Sequence, residues 1–262
     1  MMRRRTPILH AAALVLVTSC SATYAAAALP FRIVATYPHD PTSWTEGLAI
    51  AGDVLLESDG LVGRSRVTEH RLRSGELIRS ATLDAADYGE GVTVAGDRIL
   101  QLTWKQQIGN IYDAGLSLVG RFHYAGEGWG LTFDGHAIIM SNGSATLRFF
   151  DPTDLSKSLR TVTVSDAGRQ VQQLNELEYA RGWIFANVWH DDRIAVIDPA
   201  SGEVEAWCDL SALHATATHR AAAADVLNGI AYDPVTGHFF VTGKLWPYLF
   251  EIAIGEAPPA PR

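Results

Sequence analysis

The sequence predicts an all-β fold, a five-bladed β-propeller of four-stranded antiparallel blades. Three observations support it: one short pattern recurs five times, turn residues divide each recurrence into apolar runs, and the last recurrence is one strand short. The 262 residues are 47% hydrophobic and 19% charged, which is typical of a globular protein rather than a disordered chain. At this length the chain can form one large β domain.

The recurring pattern begins with a polar or aromatic residue, usually beside glycine, and continues into a short β-rich run, a turn and a second apolar run. Clear copies are "WTEGLAIAGDVLLESDG", "YGEGVTVAGDRILQLTW" and "GEGWGLTFDGHAIIMSNGS", and "QLNELEYARGWIFANVWH" and "VLNGIAYDPVTGHFFVTGKLW" are looser. The aligned positions, 44, 39, 46 and 53 residues apart, are Glu46, Glu90, Trp129, Asn175 and Asn228. A four-stranded repeat of ~40–45 residues is typical of a propeller blade.

Further apolar runs follow each of the first four copies, centred on turn residues such as Ser74-Gly75 and Asp198-Pro199, so each unit has four strands. The fifth unit ends at 248–254 with three. We expect "FRIVATY" (31–37) to supply its fourth strand, so that the N-terminal strand closes the ring in the last blade. A β-sandwich with accidental periodicity is the alternative fold. Residues 211–226 are predicted to be a helical or flexible insertion between blades.

The N-terminus predicts export from the cytoplasm. Residues 1–27 combine a basic start, an apolar run and an alanine-rich tail, which is typical of a signal peptide; the run is shorter than the ~20 residues of a membrane-spanning helix. Cleavage near Ala25–Ala27 would leave 28–262 as one propeller domain, periplasmic or secreted. Alternatively "VTSC" (17–20) resembles a lipobox, which would anchor the protein by lipid through Cys20.

Charge and motif content exclude several function classes. Without the three arginines of residues 1–27, 18 basic residues face 29 acidic ones, a net charge of −11. This disfavours nucleic acid and anionic membranes as partners. No metal-binding histidine spacing, nucleophile elbow or phosphate loop occurs in the sequence. We expect a monomer that requires no cofactor, although a structural calcium ion is compatible with the sequence.

The five aligned positions precede the inner strands of their blades, so we expect them to face one mouth of the central channel. Five of the seven tryptophans lie near these positions: Trp44, Trp104, Trp129, Trp189 and Trp246. Lys105, Asn142 and Lys244 follow the second strands. An aromatic-walled pocket with a few polar groups is typical of a small-ligand site.

Seven motifs then resemble one family: "WTEGL", "YGEGVT", "QLTWK", "GEGWGLT", "LNELE", "DVLNGIAYD" and "TGKLWP", in order from Trp44 to Pro247. They resemble the plant and bacterial glutaminyl-peptide cyclotransferases, or glutamine cyclotransferases, which are five-bladed propellers unrelated to the zinc-dependent cyclases of animals. The resemblance implies conversion of an N-terminal glutamine of peptides or proteins to pyroglutamate, with release of ammonia and without a metal.

The resemblance also implies roles for individual residues. Glu90 would transfer protons, and Asn175 and Lys244 would act as catalytic groups at the substrate. Trp44 and Glu46 stand where other members carry Phe and Gln, so the role of Glu46 stays open.

From the charges alone, we expect Glu46 to attract the substrate ammonium. Trp44, Trp104, Trp129 and Trp189 would enclose the alkyl chain of the substrate. The glycines on either side of Glu90 would let the substrate approach it closely.

Two other functions compete with this one. A non-catalytic propeller could bind N-termini or glycans through its tryptophans. A metal-dependent hydrolase of the lactonase type would place carboxylate and amide ligands around an ion; the tryptophans and Lys244 near the centre argue against it. Substitution of Glu90 and chelation with EDTA discriminate the three.

Overall fold

The computed structural model describes residues 26–256, which form five four-stranded antiparallel blades. Their inner strands contact one another in a closed ring. Blade 1 contains β3 (Thr45–Ala51), β4 (Val54–Asp59), β5 (Arg66–Arg71) and β6 (Leu77–Thr82). Blade 2 contains β7 (Gly89–Ala95), β8 (Arg98–Thr103), β9 (Ile108–Tyr112) and β10 (Leu118–His123).

The remaining three blades have the same order, with the inner strand first along the chain. Blade 3 contains β11 (Leu131–Phe133), β12 (Ile138–Met140), β13 (Thr146–Asp151) and β14 (Asp154–Thr163). Blade 4 contains β17 (Leu174–Ala180), β18 (Trp183–Val188), β19 (Arg193–Ile197) and β20 (Val204–Asp209). Blade 5 contains β21 (Leu227–Asp233), β22 (His238–Gly243), β23 (Tyr248–Ile254) and β2 (Phe31–Pro38). The prediction of a five-bladed propeller is confirmed.

The ring closes as predicted, because β2 pairs antiparallel with β23 from Phe31–Ile254 to Pro38–Tyr248. A short strand before it, β1 (Ala27–Ala28), pairs parallel with β20 and adds a fifth strand to blade 4. The predicted start of the exported domain, residue 28, lies within β1. The rest of the predicted leader, residues 1–25 with Cys20, lies outside the described residues.

The core is divided among the blade interfaces. Five clusters of buried apolar side chains each join two neighbouring blades; one, for example, packs Phe185 of blade 4 against Phe239 of blade 5. The predicted insertion contains the helix α1 (Ser211–Arg220), which buries Leu213 and Ala217 in that cluster. Cys208 is buried in β20. Among residues 26–256 no helix is long and apolar enough to cross a membrane.

Two further features were not predicted. A small hairpin, β15 (Ser165–Asp166) with β16 (Arg169–Gln170), lies between blades 3 and 4. In four blades the inner strand carries a β-bulge where the aligned position occurs, for example between Gly89 and Val92. A bulge redirects a side chain away from the regular alternation of a strand, so the bulges determine where the aligned residues point.

The residue after each aligned position forms the waist of the channel, which we define as Gly47, Gly91, Gly130, Glu176 and Gly229. A Cβ at Gly91 would lie 2.6 Å from backbone atoms of Trp129 and Leu131 in the next blade. Glycine is therefore required where the inner strands converge. In blade 4 the waist residue is Glu176, whose carboxylate accepts hydrogen bonds from the backbone N–H groups of Ile230 and Leu48 (2.8 and 3.4 Å).

Candidate active site

All eight predicted site residues line one pocket of about 260 Å³ at the mouth of the channel. They are Trp44, Glu46, Glu90, Trp104, Trp129, Asn175, Trp189 and Lys244. The inner strands supply one side of the pocket, and the loops after the second strands supply the other. This volume is below the ~300–1,000 Å³ of pockets for drug-sized ligands, so the pocket suits a small ligand.

A buried ion pair joins the first and last blades at the floor of this pocket. Lys244 Nζ donates to Glu46 Oε1 at 2.6 Å across 198 residues of sequence, and Tyr88 Oη donates to the same oxygen at 2.7 Å. Both partners are nearly inaccessible, with Glu46 2% and Lys244 7% exposed. Burial raises the pKa of Glu46, against the opposing effect of the Lys244 ammonium.

Glu90 differs from Glu46 in lacking any hydrogen-bond partner among residues 26–256, although it is only 6% exposed. Burial and the nearby Glu46 carboxylate raise its pKa well above the ordinary value, and Lys244 opposes them. A buried carboxyl group with no donor favours its protonated form. Glu90 is therefore a buried carboxyl group, raised in pKa and free of hydrogen-bond partners among the described residues, that lines the pocket.

Two polar atoms of the pocket residues are buried without a partner among the described residues: Asn175 Oδ1 and Trp44 Nε1. Buried polar groups are normally hydrogen-bonded, so such atoms need an explanation. Ser141 Oγ donates to the backbone oxygen of Asn175 at 2.6 Å and holds this residue in place. The Asn175 oxygen is thus left for a bound polar ligand, whereas Trp44 Nε1 lies close to the Glu46 carboxylate.

Tryptophans form the walls of the pocket, and Glu127 connects two of them. Its Oε2 accepts from Trp104 Nε1 at 2.8 Å and from Trp129 Nε1 at 3.0 Å. Trp189 meets Trp129 edge to face, with ring centroids 5.9 Å apart. Lys244 Nζ lies 5.2 Å from the centre of the Trp44 ring. The walls are rigid and apolar, and the charges lie at the floor.

Sequence reasoning missed four residues that line the pocket: Tyr88, His190, Asp225 and Val226. It also missed Glu127, which braces two tryptophans. Tyr88 and Glu127 stand inside motifs that had been identified, "YGEG" and "GEGWG". The backbone of 225–226 pairs with that of Lys244, a contact that no sequence pattern indicates.

Three expectations about the mouth need correction. Asn228 does not line the pocket; its Nδ2 donates to the Thr45 carbonyl at 2.9 Å and links blade 5 to blade 1. Trp246 is fully buried, and its Nε1 donates to the Asp225 carbonyl. It therefore supports the loop that carries Lys244 and does not line the pocket. Lys105 and Asn142 also lie outside the pocket lining.

The glycines beside Glu90 were expected to admit the substrate, and this was wrong. A Cβ at Gly89 would lie 2.8 Å from Gln101 Nε2 and 2.9 Å from the Asp59 carbonyl oxygen. Gly91 faces the next blade. Both glycines therefore make room for neighbouring parts of the protein.

Among the described residues, no group of three or more His, Cys, Asp or Glu side chains is arranged to hold a metal ion. The groups of the pocket lining that could hold a ligand are the carboxyl groups of Glu90, Asp225 and the lysine-paired Glu46, the Asn175 amide and the His190 ring. Fold and pocket together define the class: a five-bladed propeller with a buried, unpartnered carboxyl group and a lysine–glutamate pair inside a tryptophan-walled pocket.

Comparison with known proteins identifies the family. A family model described as "Glutamine cyclotransferase" matches residues 8–254. An Arabidopsis thaliana protein described as "Glutaminyl-peptide cyclotransferase" is 42% identical over 232 residues, which are 86% of this chain and 72% of that protein. The crystal structure of Myxococcus xanthus glutaminyl cyclase matches with a TM-score of 0.82 and 32% identity, covering 87% of this chain and 98% of that one.

This chain therefore belongs to the glutamine cyclotransferase family, a family of acyltransferases. The predictions of the family, of the propeller fold and of an acyltransferase are confirmed. The roles assigned to individual residues stay predictions.

Proposed function

We propose that this protein converts the N-terminal glutamine of peptides and proteins to pyroglutamate and releases ammonia, with Glu90 as the proton carrier. The supporting observation is the Glu90 carboxyl group, buried without a hydrogen-bond partner among residues 26–256, in the same pocket as the Lys244–Glu46 pair. The family membership supports the same reaction.

The raised pKa of Glu90 suits this reaction because the shift is in the direction of the pKa of the substrate amine. An α-amino group has a pKa of about 7.7–8.0, and an ordinary glutamate about 4.3. A carboxylate of ordinary pKa would accept a proton from the ammonium only at a large free-energy cost. Burial and Glu46 reduce that cost, since they raise the pKa of Glu90 toward the value that general acid–base catalysis requires.

In the proposed reaction the freed α-nitrogen attacks the side-chain amide carbon of the same residue. The new C–N bond closes a five-membered ring, and the proton passes to Glu90. Reactants held within one molecule react at a high effective concentration. Glu90 then gives this proton to the departing nitrogen, the old C–N bond breaks, and ammonia leaves. The ring nitrogen loses its surplus proton to the Glu90 carboxylate, which releases it to water.

Asn175 and Lys244 stabilise the negative charge that develops on the amide oxygen in this proposal. The ammonium of Lys244 carries three donors, of which one is directed to Glu46. Preorganised donors of this kind typically contribute ~10²–10³-fold each to the rate. Glu46 positions Lys244, and its Oε2 is left to meet the substrate ammonium.

The tryptophan walls favour ring closure over hydrolysis, because they surround the alkyl chain and exclude water. The anchoring of Trp104 and Trp129 on Glu127 means that little ordering remains to be done when the substrate binds. Preorganisation of this kind reduces the entropic cost of binding.

The test is ammonia release from a glutaminyl dipeptide amide by the wild-type protein, with and without EDTA, beside Glu90→Gln. We expect turnover that survives chelation and falls by roughly 10²–10⁴-fold in Glu90→Gln. Glu76→Gln is the matched control, since Glu76 lies in an exposed ion pair with Arg71.

Other outcomes identify the competing functions. Loss of turnover on chelation would indicate a metal-dependent enzyme. Binding of N-terminal peptides without turnover, unchanged in Glu90→Gln, would indicate a non-catalytic propeller.

We further propose that the protein acts outside the cytoplasm, on the basis of the leader-like residues 1–27. Cell fractionation with fatty-acid labelling of wild type and Cys20→Ala tests the two routes. Release of unlabelled protein supports simple cleavage, whereas label that is lost in Cys20→Ala supports a lipid anchor.

A further inference from the structure

A second cavity lies beside the pocket, on the other side of Trp44. It has a volume of about 290 Å³, and its lining includes Thr42, Trp44, Asp59, Arg64, Arg66 and Thr82. Trp44 is thus a wall shared with the active-site pocket. Nothing in the proposed reaction uses the cavity.

The two arginines of the cavity differ in their pairing. Arg66 Nε donates to Asp59 Oδ2 at 2.6 Å, and its Nη2 lies 3.6 Å from Asp40 Oδ2. Its charge is therefore compensated. Arg64 is exposed and forms no ion pair with any carboxylate of residues 26–256. Arg66 thus faces two carboxylates, and Arg64 is the guanidinium group of the lining that can meet an anion.

The loop that carries Arg64 is held in place. The Leu61 carbonyl accepts from the Arg64 N–H at 3.0 Å and from Ser65 Oγ at 2.9 Å. Ser65 Oγ in turn accepts from the N–H of Gly89, next to Glu90, at 2.9 Å. Leu61 has a φ of 81°, a strained conformation for a bulky residue that persists only where the surroundings impose it.

We propose that this cavity is a subsite for the substrate chain that follows the N-terminal glutamine, with Arg64 selecting a carboxylate there. The inference rests on the proposed function, because a bound N-terminal glutamine directs its chain out of the pocket mouth. An extended peptide advances ~3.3 Å per residue, so two to four residues span the Trp44 ring. Guanidinium groups bind carboxylates in a bidentate geometry. The carboxylate is an Asp or Glu side chain, or the C-terminus of a short peptide.

The experiment measures kcat and KM for peptide amides with N-terminal glutamine and either Glu or Gln at position 2, 3 or 4. A tripeptide free acid is compared with its amide to distinguish a side chain from the C-terminus. We expect the acidic member to be favoured about 2- to 10-fold at one position, through KM. The preference should weaken at high salt, which screens exposed charges.

Arg64→Gln should abolish the preference and Arg64→Glu should invert it. Arg71→Gln is the matched control, because Arg71 lies at the opposite end of β5 and is exposed. Turnover of a glutaminyl dipeptide amide should stay unchanged in all three variants. A wild type that does not discriminate at any position, or a preference that survives in Arg64→Gln, would overturn the proposal.

Failure of the proposed function gives a different result, the loss of dipeptide turnover in the wild type. The subsite is then tested by binding alone. Tryptophan fluorescence titrations with pyroglutamyl peptide acids and amides should show the same Arg64-dependent preference. Equal affinities for acid and amide would contradict it.

Discussion

The mouth and the waist of the channel both bury glutamates, but they bury them in opposite ways. At the mouth, Glu90 has no hydrogen-bond partner among the described residues, and it lies near the Lys244–Glu46 pair. At the waist, Glu176 accepts two backbone N–H groups from other blades, one from blade 1 across the channel axis.

The comparison shows that equivalent inner strands use their buried glutamates for different purposes. Burial raises the pKa of Glu90 and of Glu176 well above the ordinary value, so the two differ in their partners: Glu176 is held by backbone N–H groups and acts as a fixed link between strands, whereas Glu90 has no such donor. Glu178, two residues further along β17, continues the link: it accepts from the Tyr232 N–H at 2.9 Å and from Thr132 Oγ1 at 3.3 Å. The mouth therefore leaves a carboxyl group open to the pocket, whereas the waist uses its glutamates to hold blades together.

The largest expected effect follows from breaking the ion pair of the mouth with Lys244→Met. Removing one partner of a buried pair leaves the other charge unpaired, which typically costs roughly 3–5 kcal/mol of unfolding free energy. Turnover should fall at least ~10²-fold. Denaturant unfolding measures the first effect and ammonia release the second.

The double variant Lys244→Met/Glu46→Gln sharpens this test, because it removes both charges. Most of the lost stability should return while turnover stays low. Lys157→Met is the control: Lys157 pairs with Asp151 at 3.2 Å but is 61% exposed, so its loss should cost less than about 1 kcal/mol. Equal costs at both lysines would show that the mouth pair behaves like a surface pair.

Replacing a glutamate of the waist and a glutamate of the mouth with glutamine should produce opposite phenotypes. Glu176→Gln puts an NH₂ group opposite a backbone N–H, which should cost about 1–3 kcal/mol of stability and reduce kcat/KM by less than ~10-fold. Glu90→Gln should greatly reduce turnover without loss of stability, since it removes a buried carboxyl group that has no donor. Denaturant unfolding and steady-state kinetics of both variants test this. A large loss of turnover in Glu176→Gln together with a loss of stability in Glu90→Gln would refute the distinction between mouth and waist.

The pH dependence of turnover should report the influence of Glu46 on Glu90. The Glu46 carboxylate raises the pKa of Glu90 and Lys244 lowers it. Glu46→Gln removes the first effect and frees the lysine charge, so the pKa of Glu90 should fall. The pH profile of kcat/KM should have two limbs. The limb that reports the substrate amine should keep its position, and the limb that reports Glu90 should move to lower pH. A limb that moves upward or not at all would contradict this assignment.

The smallest effect is expected from Glu127→Gln, which keeps one acceptor for the two tryptophans but weakens their anchoring. KM should rise about 2- to 10-fold, the value of one hydrogen bond of ordinary strength, with kcat nearly unchanged. Glu69→Gln, a change to an ion pair with Arg79 at 2.8 Å far from the pocket, should leave both constants unaltered. A fall in kcat alone would place Glu127 in the chemistry.

Much of this molecule could be predicted from its repeats. Inner strands recurring at a blade's spacing must present their starts at the same end of the ring, so Glu46, Glu90, Trp129 and Asn175 were predicted together at the mouth. The missing fourth strand of the last blade likewise predicted closure by residues 31–37. Both conclusions need only periodicity and chain order.

Contacts across the ring could not be predicted in this way. The pairing of Lys244 with Glu46 depends on how loops of blades 5 and 1 meet, and Asn228 and Trp246 turn inward although the pattern places them at the mouth. Periodicity predicts the end of a blade at which a residue lies. The bulges and the convergence of the inner strands at Gly91 and Glu176 decide where its side chain points, and these belong to the assembled ring.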